Sequence, residues 1–439
     1  MTPYGVCLTL LLCGVVLAAP RRAAVLGILA AVLYLSLGQA VLVLNIKVTA
    51  LRFVELAALA RLVLRDRIQL AGFNLLDKSL VALYAWVMFT TLLRGEAITE
   101  PIGRSIDMFI LFFSFRALVR NSEEFRQVSR DLALLLIPFV PCLLIEARLG
   151  EPVFFGAAVN PENIREGRLR CVGSFQHPSL CGSVGALVLP MLVGLGFRKA
   201  DRVRAALGLV VCLAIVWASN SGGPVGALTA GLAAWACWPL RHRMRDVRWG
   251  LVLVVVGLSL VMKSPVYYVL MKFSELTGGD GWHRSFLIEQ FLGHFRLWWL
   301  IGMPLEGTVD WFPYHLFIAE VADITNSFVA FGLSGGLVGF GLYIFVFVRC
   351  FQGMGRALQQ TRSGSPNGSV DEALLWGLGC VMVGHIMNQC GITYFDQFNA
   401  IWCWHLAVIS NLGNAAVSAA QVVPVFGQSY ESSEFEPGH

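Results

Sequence analysis

The sequence predicts an all-α bundle of membrane-spanning helices, and three observations predict it. Hydrophobic residues fill 56% of the 439 positions and charged residues only 14%, whereas soluble domains are roughly a quarter charged. Mean hydropathy is +0.68. Apolar runs near the ~20-residue length that crosses a bilayer recur along the chain. They lack the alternating ten-residue pattern of a membrane β-barrel.

Thirteen candidate spans follow, near 4–19, 23–44, 48–64, 75–93, 101–119, 131–147, 179–197, 205–221, 224–240, 249–270, 326–350, 373–395 and 398–414. This predicts about 12–13 transmembrane helices. Arg52, Glu55 and Arg61 interrupt the third. The first ends at Ala18-Ala19-Pro20, a faint signal-peptidase pattern. No basic residue precedes it and Arg21-Arg22 follow, so a retained helix is expected. Basic clusters at Arg21-Arg22, Arg65/Arg67, Arg116–Arg130, Arg198–Arg204, Arg241–Arg248 and Arg349–Arg362 fall in every second loop. The positive-inside rule then places these loops in the cytoplasm, the N-terminus outside and the C-terminus inside. A single membrane domain over 1–420 is expected, with a polar acidic tail over 421–439 of the kind that stays disordered. Residues 351–372, with Ser363-Gly-Ser-Pro-Asn-Gly-Ser369, read as a flexible connection. No internal repeat is apparent, which disfavours transporter folds built from matching halves.

Several function classes drop out. The net charge of +5 is spread among short loops, as topology requires, so no nucleic-acid partner is indicated. The 11 cysteines have no CxxC spacing, and Cys13, Cys212, Cys237 and Cys350 lie inside apolar runs, where cysteine packs as a small hydrophobe. No Walker motif, GxGxxG or HExxH occurs, and no cofactor or metal is expected.

The apolar pattern breaks from about Lys263 to Thr325, where Arg284, Glu289, His294, Glu306, His315, Glu320 and Asp323 stand among many aromatics. Connections this long are uncommon unless they carry function. With the segment 148–178 it forms the larger part of the outward surface that the topology assigns, the other outer turns being 94–100, 219–223 and 394–398. Short amphipathic helices are expected in the long loop. Positive-inside disfavours arginines on this side, yet Arg165, Arg168, Arg170 and Arg284 are there. A phosphate ligand would explain them.

Five constellations carry potential chemistry. Gly167-Arg-Leu-Arg-Cys-Val-Gly-Ser-Phe-Gln-His-Pro-Ser179 leads into a helix, with proline in the first turn and free N–H groups facing an anion. Arg168 and Arg170 would add forked donors. On the bland reading the arginines bind lipid headgroups and His177 only caps the helix. Trp282 to Trp299 has aromatics at approximately helical spacing, which suits a helix lying in the membrane interface; Arg284 and Glu289 are not explained by that. Asp323 and Asn326 precede a span bearing Gly332, Gly335, Gly336 and Gly339. A carboxylate there is solvated, paired or used, while the glycines let helices approach closely. Asn388 to Asn399 is a polar turn in which Tyr394 suits an interface; Asp396 either lines the same cavity as Asp323 or takes a structural role, the second being favoured. Ser219-Asn-Ser-Gly-Gly-Pro224 is a short turn with helix-start chemistry.

Together these segments resemble the O-antigen ligase and polymerase family of bacterial surface-polysaccharide assembly. The resemblance covers about residues 165–350. It rests on Gly173-Ser-Phe-Gln-His-Pro-Ser179 at a helix start, on Arg284 opening an apolar-aromatic stretch to Gly302, and on Thr325-Asn326-Ser-Phe-Val329 leading into Gly332–Gly339. Two positions depart from the pattern. Thr325 stands where ligases tend to carry a catalytic histidine, and Ser221-Gly222 stands for the family's Ser-Arg pair. The resemblance implies metal-independent glycosyl transfer at the periplasmic face of the inner membrane. The donor would be an undecaprenyl-diphosphate-linked glycan and the acceptor a glycan hydroxyl. Membrane lipids and a chain-length regulator or other assembly protein would be partners. It implies Arg168, Arg170, His177, Arg284 and Asn326 as substrate contacts, and Asp323, His315 and Glu289 as candidates for proton transfer. A ligase with another acceptor, a flippase for lipid-linked glycan using Arg52, Glu55 and Lys78, and a non-catalytic export component remain as alternatives.

Overall fold

The computed structural model describes residues 1–43, 46–66, 72–155, 164–165, 167–272, 281–312, 321–364 and 368–422. His315, Glu320 and the tail beyond Val422 lie outside the described residues. Among those described, the structure is helical apart from two short antiparallel hairpins. The first corner comprises α1 (Pro3–Ala18), α2 (Arg21–Tyr34), the hairpin β1 (Ala40–Val43) and β2 (Ile46–Thr49), and α3 (Ala50–Arg61). Next come α4 (Leu75–Leu93), α5 (Thr99–Leu118), α6 (Ser122–Leu135) and α7 (Phe139–Leu149). The hairpin β3 (Ile164–Arg165) and β4 (Arg168–Leu169) precedes α8 (Pro178–Leu195), α9 (Arg202–Ser219), α10 (Gly222–Ala236) and α11 (Met244–Val261). Then follow α12 (Gly281–Gly293), α13 (Phe295–Trp298), α14 (Ser327–Gly364), α15 (Gly368–Gln389) and α16 (Asn399–Val422).

Among the described residues, five stretches are long and apolar enough to cross a membrane: Leu75–Leu93, Ser122–Leu149, Pro178–Leu195, Lys199–Ser219 and Ser327–Ser363. The pair Met244–Val261 and Val266–Lys272, bent by 99° at its break, makes a sixth if counted together. Each sequence-predicted span contains a helix, but several boundaries move. The span expected over 23–44 ends at Tyr34, and the one expected over 48–64 begins only at Ala50. The residues between form the β1–β2 hairpin, where Val41, Val48 and Thr49 are β-branched residues that favour extended backbone. The span expected from 131 begins at Ser122, because Asn121 caps it through the Glu124 amide at 2.9 Å. Arg126 and Arg130 therefore sit in a helix rather than a loop. Helix α14 runs on to Gly364 and α15 starts at Gly368, which shortens the connection expected over 351–372.

The centre of the bundle is α8, in which all residues but one are buried. A helix apolar on every side belongs in such a position, and small residues let its neighbours close in. At Gly185 a Cβ would lie 2.4 Å from the Cys212 carbonyl of α9. Helices α9, α10 and α15 surround α8, while α14 packs on α4, α15 and α16.

Two polar fixtures hold this apolar mass in register. Asp77, in the first turn of α4, is fully buried and pairs with Arg116 of α5 at 2.8 Å. It also accepts the Ser410 hydroxyl at 2.6 Å and the Asn74 amide at 2.8 Å. Asp77→Ala strands the Arg116 guanidinium, and a loss of about 3–5 kcal/mol is expected for such a break. Thermal unfolding in detergent checks this, with Asp77→Asn expected to fall between the variant and wild type.

The second fixture is a break within α14. Gly335 (φ −141°, ψ 16°) and Gly336 (φ 64°, ψ −160°) leave the helical conformation, which frees backbone groups that must find other partners. The Ser334 carbonyl accepts from Thr90 Oγ1 and Arg94 Nη1, each at 2.8 Å, and the Gly335 carbonyl from Trp86 Nε1 at 2.7 Å. Met303 N donates to the Leu333 carbonyl and Leu337 N to the Trp299 carbonyl, both at 2.8 Å. The break thus docks the segment 295–303 onto the bundle. A satellite core of Leu287, Phe291, Trp298, Met303, Trp311, Val329 and Leu333 seals that contact. The glycines do more here than permit close packing.

Candidate functional site

The segment 170–177 is fixed by its backbone. Cys171 N donates to the Ala218 carbonyl at 3.1 Å. The Glu146 carboxylate, buried in α7, accepts Val172 N at 2.6 Å and Gly173 N at 3.0 Å. Gly173 sits at φ +59° with the Phe139 ring against it, a position that excludes other residues. His177 then caps α8, its Nδ1 accepting Ser179 N at 3.1 Å, with Pro178 at the first helical position. The helix start expected from the sequence is borne out.

This backbone-anchored segment places Arg170 beside the start of α10. Its Nη2 donates to Ser221 Oγ at 3.1 Å, and Ser221 Oγ lies 2.7 Å from Ser179 Oγ. Ser221 is the N-cap of α10, yet no side chain caps that helix. Its first-turn N–H groups, carried by Gly222 and Gly223, lack intrahelical partners and present partial positive charge. Arg284 of α12 comes in from the other side. A Cβ on Gly391 would lie 3.3 Å from Arg284 Cζ, and one on Gly223 3.7 Å from Arg284 Nη2. Gly222, Gly223, Gly226, Leu270, Arg284 and Gly391 line the resulting crevice.

The electrostatics are those of a cation cluster. Burial pushes the Arg170 guanidinium down to about 10, and the charges of Arg165 and Arg284 push the same way. Burial also pushes His177 down to about 4, with Arg170 and Arg284 adding to it. His177 is therefore neutral at physiological pH. Arg170 Nε is buried with no hydrogen-bond partner, which costs roughly 1–3 kcal/mol.

The other sequence-predicted residues divide. Arg168 lies over the Trp217 ring, 4.5 Å from its centroid, on the rim rather than in the crevice. Asn326 is buried and caps α14, accepting Phe328 N at 2.9 Å and Val329 N at 3.2 Å. Glu289 is exposed and accepts the Tyr268 hydroxyl. It lies five residues beyond Arg284, about 140° round the helix. Asp323 is exposed, and its backbone carbonyl bonds His283 Nε2 at 2.9 Å. Thr325 has its hydroxyl oxygen buried without a partner. Asp396 adopts φ 54°. Burial pushes its carboxyl up to about 6 while Arg104 and Lys47 pull it down, so it faces a separate group of charges.

A polar chain whose two histidines no sequence pattern signals leads from beside the crevice into the bundle. Ser183 Oγ donates to Asn388 Oδ1 at 3.0 Å, and Asn388 Nδ2 to the Tyr394 hydroxyl at 3.1 Å. That hydroxyl is 2.7 Å from His385 Nδ1, and His385 Nε2 is 2.9 Å from His405 Nδ1. Both histidines are fully buried, and His405 Nε2 has no partner. Tyr394, expected at an interface, is buried as well. A single histidine within an apolar run carries no periodic signal, so only the packing of α15 on α16 reveals the pair. Among the described residues no group of three or more His, Cys, Asp or Glu could hold a metal ion. No protein-family model matches this chain, and no curated protein matches it.

Proposed function

We propose that the protein is an inner-membrane glycosyltransferase that joins a lipid-diphosphate-linked glycan to an acceptor glycan hydroxyl. The shorter helices complete a bundle of about 12–13 spans, and the crevice opens at the periplasmic face. One observation carries this reading: three separate parts of the chain meet here, with Arg284 and the uncapped start of α10 lining one crevice and Arg170 and His177 of a single segment standing beside it. A diphosphate is the ligand whose charge and oxygen geometry match two forked guanidinium groups and a helix N-terminus. The family's Ser-Arg pattern is missing at Ser221-Gly222, but Arg170 brings a guanidinium to Ser221 from another segment.

In the reaction the acceptor oxygen attacks the anomeric carbon, and the bond from that carbon to the diphosphate oxygen breaks. The diphosphate leaves with its electron pair, and Arg170 and Arg284 offset the growing charge. The acceptor proton passes to a general base, for which the Asp323 carboxylate is the candidate, with His315 and Glu289 behind it. Holding two long substrates in line supplies the remainder of the rate. No cofactor is required by this scheme. The acceptor decides between polymerase and ligase.

The test is transfer by protein reconstituted in vesicles with a polyprenyl-diphosphate-linked glycan. Longer lipid-linked chains from wild type and none from Asp323→Ala support a polymerase. Transfer only to an added acceptor without a lipid diphosphate supports a ligase. Translocation of donor without transfer in either protein favours the flippase, a reading to which the buried His385–His405 chain lends weight.

His177 supplies a pH signature. Its folded-state value lies near 4 and its ordinary value is 6.5. The unfolded chain therefore binds the extra proton between these values, and His177 lowers stability as pH falls from 6.5 toward 4. Bound diphosphate neutralises Arg170 and Arg284, so the His177 value rises. Each unit of rise tightens binding by up to about tenfold, fully expressed only below the free-protein value near 4. Pyrophosphate affinity of wild type relative to His177→Gln is expected to grow as pH falls through this window. A constant ratio would remove His177 from the site.

A further inference from the structure

We propose that Glu55 of α3 and Asp107 of α5 form a proton-binding site inside the bundle, in which the two carboxyls share one exchangeable proton beside Arg52. Nothing in it depends on the crevice or on glycan transfer. Glu55 follows Arg52 by three positions in α3, and residues so spaced share a helix face. Helix α3 packs on α5. Arg52 reaches Asp107 there, its Nη2 donating to Oδ2 at 2.9 Å and its Nε to the same oxygen at 3.3 Å. Glu55 lies behind that pair and is only 3% exposed. Its side chain is within hydrogen-bonding reach of the Asp107 carboxyl, and its Oε2 is buried with no partner. On the inner side Glu55 faces Cys403 of α16, whose Sγ donates to the carbonyl of Met108, the residue after Asp107, at 3.6 Å.

An ionised carboxyl only accepts hydrogen bonds, so two carboxyls meet only where one keeps its proton. Like charges this close do not both ionise, and Arg52 offsets one of them. The charged groups that face Glu55 are Asp107 and Arg52. The other neighbours add none. Helix α1 has no charged residue, and Arg21 and Arg22 of α2 pair with Glu124 and Asp131. Arg61, further along α3, pairs with Asp66. Arg104, three positions before Asp107 in α5, pairs with Glu100, and Lys47 of β2 acts on Asp396. The side chains of Arg52 and Asp107 are 38% and 31% exposed, which gives the proton a path between Glu55 and the surface of the bundle. Carboxyls kept inside a membrane bundle mark proton sites and ion pathways. Once the proton leaves, the two carboxylates repel across the α3–α5 contact, so occupancy of the site and the seating of α3 on α5 are coupled.

The experiment is infrared spectroscopy of the full chain in vesicles, with wild type compared to Glu55→Gln and Asp107→Asn. Near neutral pH an ordinary glutamate or aspartate is ionised. The difference between wild type and Glu55→Gln is expected to hold a protonated-carboxyl band that shifts in heavy water and disappears at strongly alkaline pH. Asp107→Asn is expected to remove the same band although Glu55 is retained, because Arg52 then pairs with the Glu55 carboxylate. A difference made of carboxylate bands alone would mean that both acids are ionised around Arg52, and it would overturn the proposal. A protonated band that survives Asp107→Asn would mean a glutamic acid kept neutral by burial alone, and the shared site would fall. Thermal unfolding gives an independent reading. The folded protein holds a proton that the unfolded chain releases near neutral pH, so wild type loses stability as pH rises and Glu55→Gln is free of that loss. Glutamine has the shape of the protonated acid, so Glu55→Gln is expected to melt no lower than wild type near neutral pH. A marked drop would indicate a plain ion pair and contradict the site.

Discussion

Replacing Arg170 or Arg284 by alanine is expected to lower kcat/KM for glycan transfer by about 10- to 100-fold, the loss of one charged hydrogen-bonding group worth about 1.5–3 kcal/mol. Stability should move the other way for Arg170. Burial and its cationic neighbours already disfavour its charge in the folded protein, so removing the guanidinium relieves a cost. The expected signature is lost transfer with an unchanged or raised melting temperature, and a structural arginine would give the opposite. Arg170→Lys keeps the charge but loses the planar fork, so it is expected to recover only part of the rate. The two alanine substitutions should not add, because both act on one bound anion.

Gly302→Ala is expected to destabilise the protein by about 2–5 kcal/mol. Gly302 sits at φ +80°, and a Cβ there would lie 2.0 Å from the Leu333 carbonyl and 2.9 Å from Arg94 Nη1. The left-handed backbone costs about 1–2 kcal/mol for a residue with a side chain, and overpacking costs about 1–3 more. The consequence for function is indirect. Gly302 lies where the segment carrying α12 and α13 docks on the break of α14, so loosening it also loosens the seat of Arg284. Thermal unfolding and transfer should fall together. Gly293→Ala is the control, since a Cβ there meets nothing within 4 Å, and both measurements should hold.

The apolar runs made the helical class legible, because hydropathy and length are local properties. The hairpin at Ala40–Thr49 was hidden because its residues are as apolar as the helices beside it. The break at Gly335 and Gly336 was visible only as a run of glycines, since its meaning lies in the Trp86, Thr90 and Arg94 donors that satisfy the freed carbonyls. Of the site, Arg170 and Arg284 stood out as charges on a face where topology disfavours them and His177 as a helix start, and the structure brings those three together. Asn326 was marked only by the family resemblance, and it caps a helix. Ser221 was noted only as part of a turn, because a serine gains its role from the guanidinium that reaches it across 51 positions. The His385–His405 pair depends on the register of α15 against α16, which no single segment encodes.

The most direct test of the central claim is the binding of radiolabelled undecaprenyl diphosphate to the reconstituted protein, with wild type compared to the Arg170→Ala/Arg284→Ala double variant. A cationic crevice that seats the donor's diphosphate predicts saturable binding by wild type, displaced by inorganic pyrophosphate, and at least about 100-fold weaker binding by a double variant that melts no lower. Equal affinity in the two proteins would contradict it.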